Sequence, residues 1–422
     1  MKITAVISEF DPFHNGHKYL LDETRRRTDN GGVVCIMSGS FPQRGRPAIC
    51  DKWSRAEMAL RSGADVVIEL PFVYAVSSAQ FFALGGVSAA KVIGADGLAF
   101  GIESTESNVL KAAERRVSGE YREKLLEGIR NGSSYAAAAG AAIGEERTRP
   151  NDILACEYIA AMDALDYSPE LLMIPRAGAG HDSEEPSDGF ASASAIRKLF
   201  LSGEIDAASE YMPAETVKIL QNWLKTEKFV TSDDFSAALC VKLRTMPPDL
   251  VEMLPFGGGG LDRLVYNNAQ KYSSWEKIVS ASTSLRYPSS RVSRFMVWTL
   301  TCDMLKSSMF SPDELDRIYS EGELPYIRVL GIRRGRGEEI LSEIARRCGE
   351  RAKIVTAPFK YLDNTVTADN ASAHDLLGYK MLMTDITAQA VYDSVLRSES
   401  LSDAHRDLSR KFLTVTCKDT VS

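Results

Sequence analysis

The first 200 residues alternate between short apolar runs and amphipathic stretches with a helical period. The apolar runs are rich in Val, Ile and Leu, as strands buried on both faces of a parallel sheet are. They predict strands at Ile3–Ile7, Val33–Met37, Val66–Leu70, Gly97–Phe100 and Leu171–Ile174. The stretches between them predict helices at Lys18–Arg27, Lys52–Ser62 and Ala79–Ile93, with several more between Asn108 and Asp166. This order is typical of an α/β fold on a doubly wound, Rossmann-like parallel sheet, whose loops gather at one edge.

The alternation stops near Glu204, and the rest of the chain is predicted to be mainly helical. Helical patterns recur at Ala214–Lys225, Asp233–Leu243, Leu261–Tyr272, Trp275–Ser282, Ser290–Lys306, Pro312–Ser320, Glu338–Cys348 and Asp375–Arg397. A small βα piece is indicated around Tyr326–Leu330 and Ile354–Thr356. We therefore predict an α/β domain at residues 1–203 and a mainly α-helical domain at residues 204–422.

Composition supports a soluble globular protein of more than one domain. The chain has 422 residues, 44% hydrophobic and 25% charged, and no long apolar run indicates a membrane span. Its start lacks a signal-peptide pattern, and its seven cysteines are scattered without a C-x-x-C pair. These features predict a cytoplasmic protein with reduced thiols, no zinc site and no membrane partner. Because no coiled-coil heptads are visible, the sequence leaves the oligomeric state open.

The net charge of −7 argues against polyanion binding by bulk electrostatics, but a local basic face can still bind RNA. Arginines cluster twice in the second half of the chain. The first cluster, beside Tyr287, consists of Arg286, Arg291 and Arg294. The second cluster consists of Arg328, Arg333, Arg334 and Arg336. Both are candidates for phosphate contacts, and a solvated helix face or loop is the alternative for each.

The most specific chemical signal is His14-Asn15-Gly16-His17, which follows the first predicted strand and a turn at Pro12. A helix beginning near Asn15 would aim free backbone N–H groups and its positive end at one point, as phosphate sites do. His14 and His17 face the same way and can donate to a developing charge, and Gly16 leaves the backbone open to a ligand. Two surface histidines beside a turn glycine are the alternative. Two of only five histidines fall here, at the edge where open α/β sheets bind ligands.

A second candidate segment follows the fifth predicted strand. It places small hydroxyls ahead of a helix and puts Arg197 three residues after Ser194, which offers donors to phosphates. An N-capped helix with a solvated arginine is the alternative. Asn151 opens another helix and can either cap it or contact an adenine or ribose edge. The run Gly257–Gly260 favours a flexible loop over a phosphate loop, because no strand leads into it.

Seven motifs occur in order: E-F-D-P-F-H-N-G-H (9–17), S-G-S-F-P-Q-R-G-R-P-A (38–48), E-L-P-F-V-Y-A-V (69–76), F-G-I-E (100–103), P-N-D-I-L (150–154), P-R-A-G-A-G-H-D (175–182) and S-A-S-A-I-R (192–197). Together they resemble the bacterial tRNA(Met) cytidine acetate ligase family of the H-x-G-H nucleotidyltransferase superfamily. The likeness is strong over residues 1–203. It continues more weakly through S-L-R-Y-P-S-S-R-V-S-R (284–294) and Y-I-R-V-L-G (326–331).

The resemblance implies a ligase that uses ATP to activate acetate as acetyl-adenylate and then acetylates N4 of the wobble cytidine in elongator tRNA(Met). Residues 1–203 would be the ATP-binding catalytic domain, and residues 204–422 would bind tRNA. His14 and His17 would stabilise the reacting phosphate, Ser194 and Arg197 would hold pyrophosphate, and Mg²⁺ would neutralise the β- and γ-oxygens. The residues implied to bind ATP are Ile7, Ser8, Glu9, Phe10, Asp11, Pro12, Phe13, His14, Asn15, Gly16, His17, Lys18, Tyr19, Leu20, Gly101, Asn151 and Arg176.

The chain departs from the family's more frequent residues at Phe10, Asp11, Ser40, Pro42 and Arg46, all at loop edges. Two alternative functions share the motifs. A small-molecule adenylyltransferase would not need the long helical half. A non-catalytic RNA-binding relative would not need to keep both histidines.

Overall fold

The strands of the computed structural model form one sheet of eight strands. The structure describes residues 1–116, 118–131, 133, 135–143, 149–176, 189–302, 310–366, 371–397 and 406–416. The strands are β1 (Ile3–Ser8), β2 (Gly32–Ser38), β3 (Val66–Leu70), β4 (Gly97–Ile102), β5 (Glu170–Pro175), β6 (Tyr326–Arg333), β7 (Lys353–Val355) and β8 (Leu413–Val415). The five strands predicted in the first half are confirmed, each within two residues of its predicted ends.

Strand order explains why the site lies beside β1. The sheet runs β5-β4-β1-β2-β3-β6-β7, and β8 lies beside β6. Strands β1 to β5 are mutually parallel, with Ile3 of β1 opposite Gly32 of β2, so their carboxyl ends share one edge. From β1 the chain builds outward through β2 and β3, then returns to the other side of β1 for β4 and β5. Open α/β sheets bind ligands at such a switch point.

Helices cover both faces of the sheet, as the predicted doubly wound α/β fold requires. In the first half they are α1 (Asn15–Arg27), α2 (Lys52–Arg61), α3 (Phe72–Ala75), α4 (Ala79–Val92), α5 (Glu106–Arg116), α6 (Gly119–Arg130), α7 (Tyr135–Ile143), α8 (Pro150–Ala164) and α9 (Ala193–Leu201). In the second half they are α10 (Ile205–Ser209), α11 (Ala214–Thr226), α12 (Ser236–Thr245), α13 (Pro248–Glu252), α14 (Leu261–Lys271), α15 (Trp275–Ser282), α16 (Ser289–Thr301), α17 (Pro312–Tyr319), α18 (Arg336–Cys348), α19 (Pro358–Val366), α20 (Ala373–Asp393) and α21 (Arg406–Ser409). Within the described ranges, none of these helices is long and apolar enough to cross a bilayer.

The continuous apolar runs of the strands reflect burial on both faces. In β1, Ile3, Ala5 and Ile7 join one core cluster, which includes residues of α4 and α8. Val6 points to the opposite face and joins a second cluster with residues of α1 and α2. Alternate residues of a strand face opposite sides of the sheet. A strand that is covered by helices on both sides is therefore apolar along most of its length, without an alternation of polar and apolar residues.

Strands from the second half of the chain complete the sheet. β6 pairs antiparallel with β3, and β7 and β8 pair parallel with β6 on its other side. The small βα piece predicted around Tyr326–Leu330 and Ile354–Thr356 is therefore present as β6, α18 and β7. The domain division at residues 203 and 204 stays a prediction, and the sheet extends across it.

A buried ionic cluster joins the two halves. Lys52 of α2 lies 2.9 Å from carboxylate oxygens of both Glu69 and Asp407. Arg328 of β6 contacts the same two carboxylates, at 3.2 Å and 2.8 Å. Burial alone would lower the pKa of Arg328, but Asp407 and Glu69 outweigh it and raise that pKa. Each charge is thus compensated away from water, which buried ions require.

Three of the four arginines in the second cluster are engaged by buried carboxylates, and Arg334 is exposed. Arg328 is 1% exposed and belongs to the buried ionic cluster, so its predicted phosphate contact is wrong. Arg333 and Arg336 are both paired with the buried carboxylate of Asp65. The arginines lie close together in the sequence, whereas their acidic partners Glu69, Asp407 and Asp65 lie far from them along the chain and are brought near only by the fold.

Replacing Arg328 by Met should destabilise the protein strongly, because Glu69 and Asp407 would then share only Lys52. Breaking a buried pair in this way typically costs about 3–5 kcal/mol. We expect a loss of that size in the free energy of unfolding from urea denaturation. Arg263→Met, which removes an exposed ion pair with Glu252, is the control and should leave the midpoint almost unchanged. Equal losses in both variants would contradict the role of the cluster.

Candidate active site

Two imidazoles close the first turn of α1 and cap each other's backbone. His14 is the N-cap, and its Nδ1 accepts a hydrogen bond from the N–H of Gly16 at 3.1 Å. In return, Nδ1 of His17 accepts from the N–H of His14 at 3.3 Å. The rings stack with centroids 3.7 Å apart and planes 25° apart. This is the reciprocal capping-box arrangement with imidazoles in both side-chain roles.

The capping bonds determine which ring nitrogen carries the proton. Each Nδ1 accepts a hydrogen bond, so the neutral form of each ring must carry its proton on Nε2. Burial, followed by the nearby charge of Arg176, lowers the pKa of His14 to about 3. Burial, His14 and Arg176 lower the pKa of His17 well below its usual value. Near neutral pH the pair is therefore two uncharged Nε2–H donors.

The backbone N–H groups predicted to be free at this helix end are occupied. Asn15 donates its N–H to the carbonyl of Tyr211 at 2.9 Å, and His17 and Lys18 donate theirs to the carbonyl of His14. Gly16 has a different role from the one predicted, because a Cβ there would lie 2.9 Å from Cε1 of His14. The glycine makes room for the capping ring. At this helix end the Nε2–H groups of the imidazoles, and not the backbone N–H groups, are left to donate to a phosphate.

A second group gathers around Glu103, just beyond β4. Asn151 donates its side-chain amide to Oε1 of Glu103, and Arg176 donates Nη1 to the same oxygen at 3.1 Å. Gly101 lies beside Arg176, since a Cβ at position 101 would be 3.5 Å from its Cγ. Gly101, Asn151 and Arg176, predicted from distant motifs, thus meet at one carboxylate. Glu103 itself was not among the predicted site residues, and its only signal was the last position of F-G-I-E.

Arg176 links this group to the histidines, because its charge contributes to the lowered pKa of both rings. The ends of β1, β4 and β5 therefore form one site. This site combines two neutral hydrogen-bond donors, His14 and His17, with the cation Arg176, which is held by the Glu103 carboxylate. Such a combination suits a polyanionic ligand such as a nucleoside triphosphate.

Comparison with known proteins agrees with this geometry. The sequence model of the HIGH Nucleotidyl Transferase family matches residues 1–407. The tRNA(Met) cytidine acetate ligase of Clostridium novyi (strain NT) is 31% identical over 417 residues, covering 95% of this chain and 99% of the relative. That of Listeria monocytogenes serovar 1/2a is 34% identical over 354 residues, covering 81% and 86%. The chain belongs to the tRNA(Met) cytidine acetate ligase family.

The structural likeness extends over the whole chain. The crystal structure of Thermotoga maritima TmcAL bound with alpha-thio ATP superposes with a TM-score of 0.86 at 27% identity, covering 99% of this chain and 100% of that one. The resemblance in the seven motifs is thereby confirmed at the level of family and fold. The motif at 175–182 is described only as far as Arg176, so His181 and Asp182 lie outside the described residues.

In this member of the ligase family, the loop after β2 is fastened to the loop after β1. Glu9 accepts the N–H of Gln43 at 2.6 Å through Oε1. Arg55 of α2 donates to the carbonyls of Glu9 at 2.6 Å and Ser38 at 3.2 Å. Burial raises the pKa of Glu9 despite the bond from Gln43. The two loops therefore form one wall of the site.

The predicted pyrophosphate ligands lie in contrasting environments. Ser192, and not Ser194, caps α9 by accepting the N–H of Ala195 at 3.2 Å. Ser194 is exposed in the first turn of α9. Arg197 is 5% exposed, and its Nη1 lies 2.7 Å and 2.6 Å from the two carboxylate oxygens of Asp11. Arg197 is therefore not the solvated arginine considered as the alternative, and its contact with pyrophosphate stays a prediction.

The first arginine cluster lies against the loop after β2. Arg294 donates to the carbonyl of Gln43 at 3.2 Å. Arg291 and Arg286 flank the ring of Tyr287, with guanidinium carbons 5.3 Å and 5.5 Å from its centroid. The glycine run beside them offers carbonyls to this cluster, since Gly258 accepts from Arg291 at 2.7 Å. The glycine run therefore contacts the arginines through a carbonyl oxygen.

The described residues contain no cluster of metal ligands of the size that holds an ion without help from a substrate. No group of three His, Cys, Asp or Glu side chains among them could hold a metal ion. The carboxylates nearest the histidines are already engaged, Asp11 with Arg197, Glu103 with Arg176 and Glu9 with the N–H of Gln43. We therefore assign no catalytic step to a protein-bound metal.

Replacing His14 by Asn should reduce the acid sensitivity of the fold, since Asn keeps an N-cap acceptor and removes the titrating ring. The folded-state pKa of about 3 lies below the unfolded value of about 6.5, so protons favour the unfolded chain. Between pH 6.5 and pH 3 the native protein should lose about 1.4 kcal/mol per pH unit relative to His14→Asn, measured by urea denaturation. Identical pH dependence in both proteins would contradict the buried, neutral state of His14.

Proposed function

We propose that the protein is an ATP-dependent tRNA(Met) cytidine acetate ligase. It would form acetyl-adenylate from acetate and ATP, and then acetylate N4 of the wobble cytidine of elongator tRNA(Met). The observation that carries the proposal is the pair of neutral Nε2–H donors beside Arg176, in a chain that resembles an ATP-analogue-bound TmcAL from end to end. Residues 1–203 would serve as the catalytic domain and residues 204–422 as the tRNA-binding one.

In the first step an acetate oxygen attacks the α-phosphorus, the bond to the bridging oxygen breaks, and pyrophosphate leaves. No protein nucleophile is needed, so positioning and charge stabilisation provide the catalysis. His14 and His17 would donate from Nε2 to the oxygens that gain charge, and as neutral groups they need not lose a proton. Arg176 would supply the positive charge, held in place by Glu103. Mg²⁺ would arrive with ATP, with phosphate oxygens and water as its ligands.

The nucleotide would lie along the loop from Ile7 to Leu20 and across Gly101, Asn151 and Arg176. Asn151 already donates to Glu103, so its amide has a fixed orientation before a ligand arrives. This arrangement supports a preorganised pocket, in which little ordering remains to be done when ATP binds.

In the second step the N4 amine attacks the acyl carbonyl, AMP leaves, and the amine loses a proton. The cytidine must be turned out of its stack to reach the site. The three arginines of the first cluster, Arg286, Arg291 and Arg294, form no ion pair with a carboxylate of the described residues. Burial lowers the pKa of Arg294 to about 10, the response of a cation that lacks a compensating carboxylate. RNA phosphates would provide that compensation.

His17→Gln tests the first step, because Gln at this capping-box position can still accept the backbone N–H of His14. We expect a fold like the wild type and a loss of about 100- to 1000-fold in acetate-dependent exchange between ATP and pyrophosphate. His374→Gln, in the distant contact with Glu323, is the matched control and should keep full activity. Near-normal exchange in His17→Gln would refute the assignment. Exchange that does not require acetate would favour a small-molecule adenylyltransferase.

Replacing Arg286 and Arg291 together by Ala tests the RNA surface. Each lost phosphate contact should reduce the slope of log affinity against log salt by about 0.7 to 0.9. We would measure tRNA binding by filter retention over a series of salt concentrations, with Arg346→Ala, an exposed arginine of α18, as the control. An unchanged slope would mean that these arginines do not contact RNA.

A further inference from the structure

Asp11 and Arg197 form a buried ion pair beside the histidines. Besides Nη1 of Arg197, the Asp11 carboxylate accepts the N–H of Ile49 at 2.7 Å. Nη2 of Arg197 donates to the carbonyl of Pro47 at 3.2 Å. The two side chains are only 4% and 7% exposed, so the pair lies almost completely out of water.

This pair joins three separate segments at the active edge of the sheet. Asp11 belongs to the loop after β1, Pro47 and Ile49 belong to the loop after β2, and Arg197 is on α9, beyond β5. It therefore ties the histidine loop to the loop after β2 and to α9 through a single guanidinium.

The loop that is held in this way carries the histidines. Asp11 is three residues before His14, and the adjoining rings of Phe10 and Phe13 lie 4.9 Å and 5.5 Å from that of His17. Phe10 has a φ of 48°, a left-handed conformation that a bulky residue adopts only when its surroundings impose it. The ion pair is next to this strained residue and is one of the contacts that can impose it.

We propose that Asp11 and Arg197 are positioning residues, and that Arg197 acts on catalysis by holding the histidine loop and not by touching phosphate. The Arg197 side chain is 7% exposed, with Nη1 on Asp11 and Nη2 on the carbonyl of Pro47. Moving its guanidinium out to a phosphate would leave the Asp11 carboxylate buried and unpaired, which is unfavourable. The proposal replaces the pyrophosphate contact predicted from the sequence. It rests on the proposed function only in taking the histidines as the nucleotide's partners.

The test compares Asp11→Leu, Arg197→Met and the double variant. Each single change leaves one buried charge unpaired, whereas apolar residues of similar size at both positions remove both charges and keep the packing. We expect the single variants to lose about 100-fold in acetate-dependent exchange, the scale of an active-site displacement of about 1 Å. They should also bind ATP about tenfold more weakly by calorimetry. The double variant should be at least about tenfold more active than either single variant and should bind ATP more tightly than either of them.

A direct phosphate contact predicts a different pattern. The double variant would then be as defective as Arg197→Met in rate and ATP affinity, and this result would overturn the proposal. If a single variant does not fold, the comparison of the double variant with Arg197→Lys decides. Lys keeps a charge that can bind phosphate but loses the forked contact with Asp11 and Pro47. A nearly normal Arg197→Lys with a defective double variant would also overturn the proposal.

Arg317→Met is the matched control, because Arg317 makes a bidentate pair with Glu323 outside these three segments. It should lower the melting temperature while leaving ATP affinity and exchange rate unchanged. If the wild type binds ATP but shows no acetate-dependent exchange, the proposed function fails. The positioning role is then judged on ATP affinity alone, where recovery in the double variant supports it and no recovery overturns it.

Discussion

Reciprocal capping of α1 by His14 and His17 is the interaction around which the candidate site is organised. A helix cannot satisfy the N–H groups of its own first turn. Here Nδ1 of His14 accepts the N–H of Gly16, and Nδ1 of His17 accepts the N–H of His14. Nε2 is then the only ring nitrogen that can carry the proton of each neutral imidazole. Desolvation by the surrounding protein lowers the pKa of both rings and keeps them neutral, and the capping bonds determine which nitrogen carries the proton. Gly16 follows from this capping, because only glycine leaves space for the ring of His14.

The second half of the chain supports the site from behind. From α20, Gln389 accepts a hydrogen bond from Ser40 at 2.5 Å, and Tyr392 donates to the carbonyl of Ala48 at 3.0 Å, so both ends of the loop after β2 are held. Asp385 of the same helix accepts the N–H of Phe72 at 2.7 Å, at the start of the loop after β3. The helical half therefore holds loops that lie at the carboxyl edge of the sheet.

Local pattern was sufficient to predict the elements but not their partners. Strand β3 and helix α15 begin and end at the residues that the hydrophobic pattern predicts. The strand is buried on both faces and is apolar except at Glu69, whereas the helix is buried on one face and has apolar residues at helical spacing. The site histidines were also visible, since a motif keeps its residues adjacent. The partners of Arg197 and Arg328 lie 186 and 79 positions away along the chain, and no periodicity connects residues so far apart. Both arginines therefore seemed available to ligands until the fold showed their carboxylates.

The antiparallel pairing of β6 with β3 has a consequence for how the molecule can be divided. Every residue of β3 is buried, and β6 supplies the hydrogen-bond partners along one side of it. A chain ending after residue 203 would leave a flat, apolar edge with unpaired N–H and C=O groups, the usual starting point of edge-to-edge aggregation. It would also leave Lys52 and Glu69 without Arg328 and Asp407. Residues 1–203 therefore depend on the second half of the chain to cover this edge and to pair these buried charges.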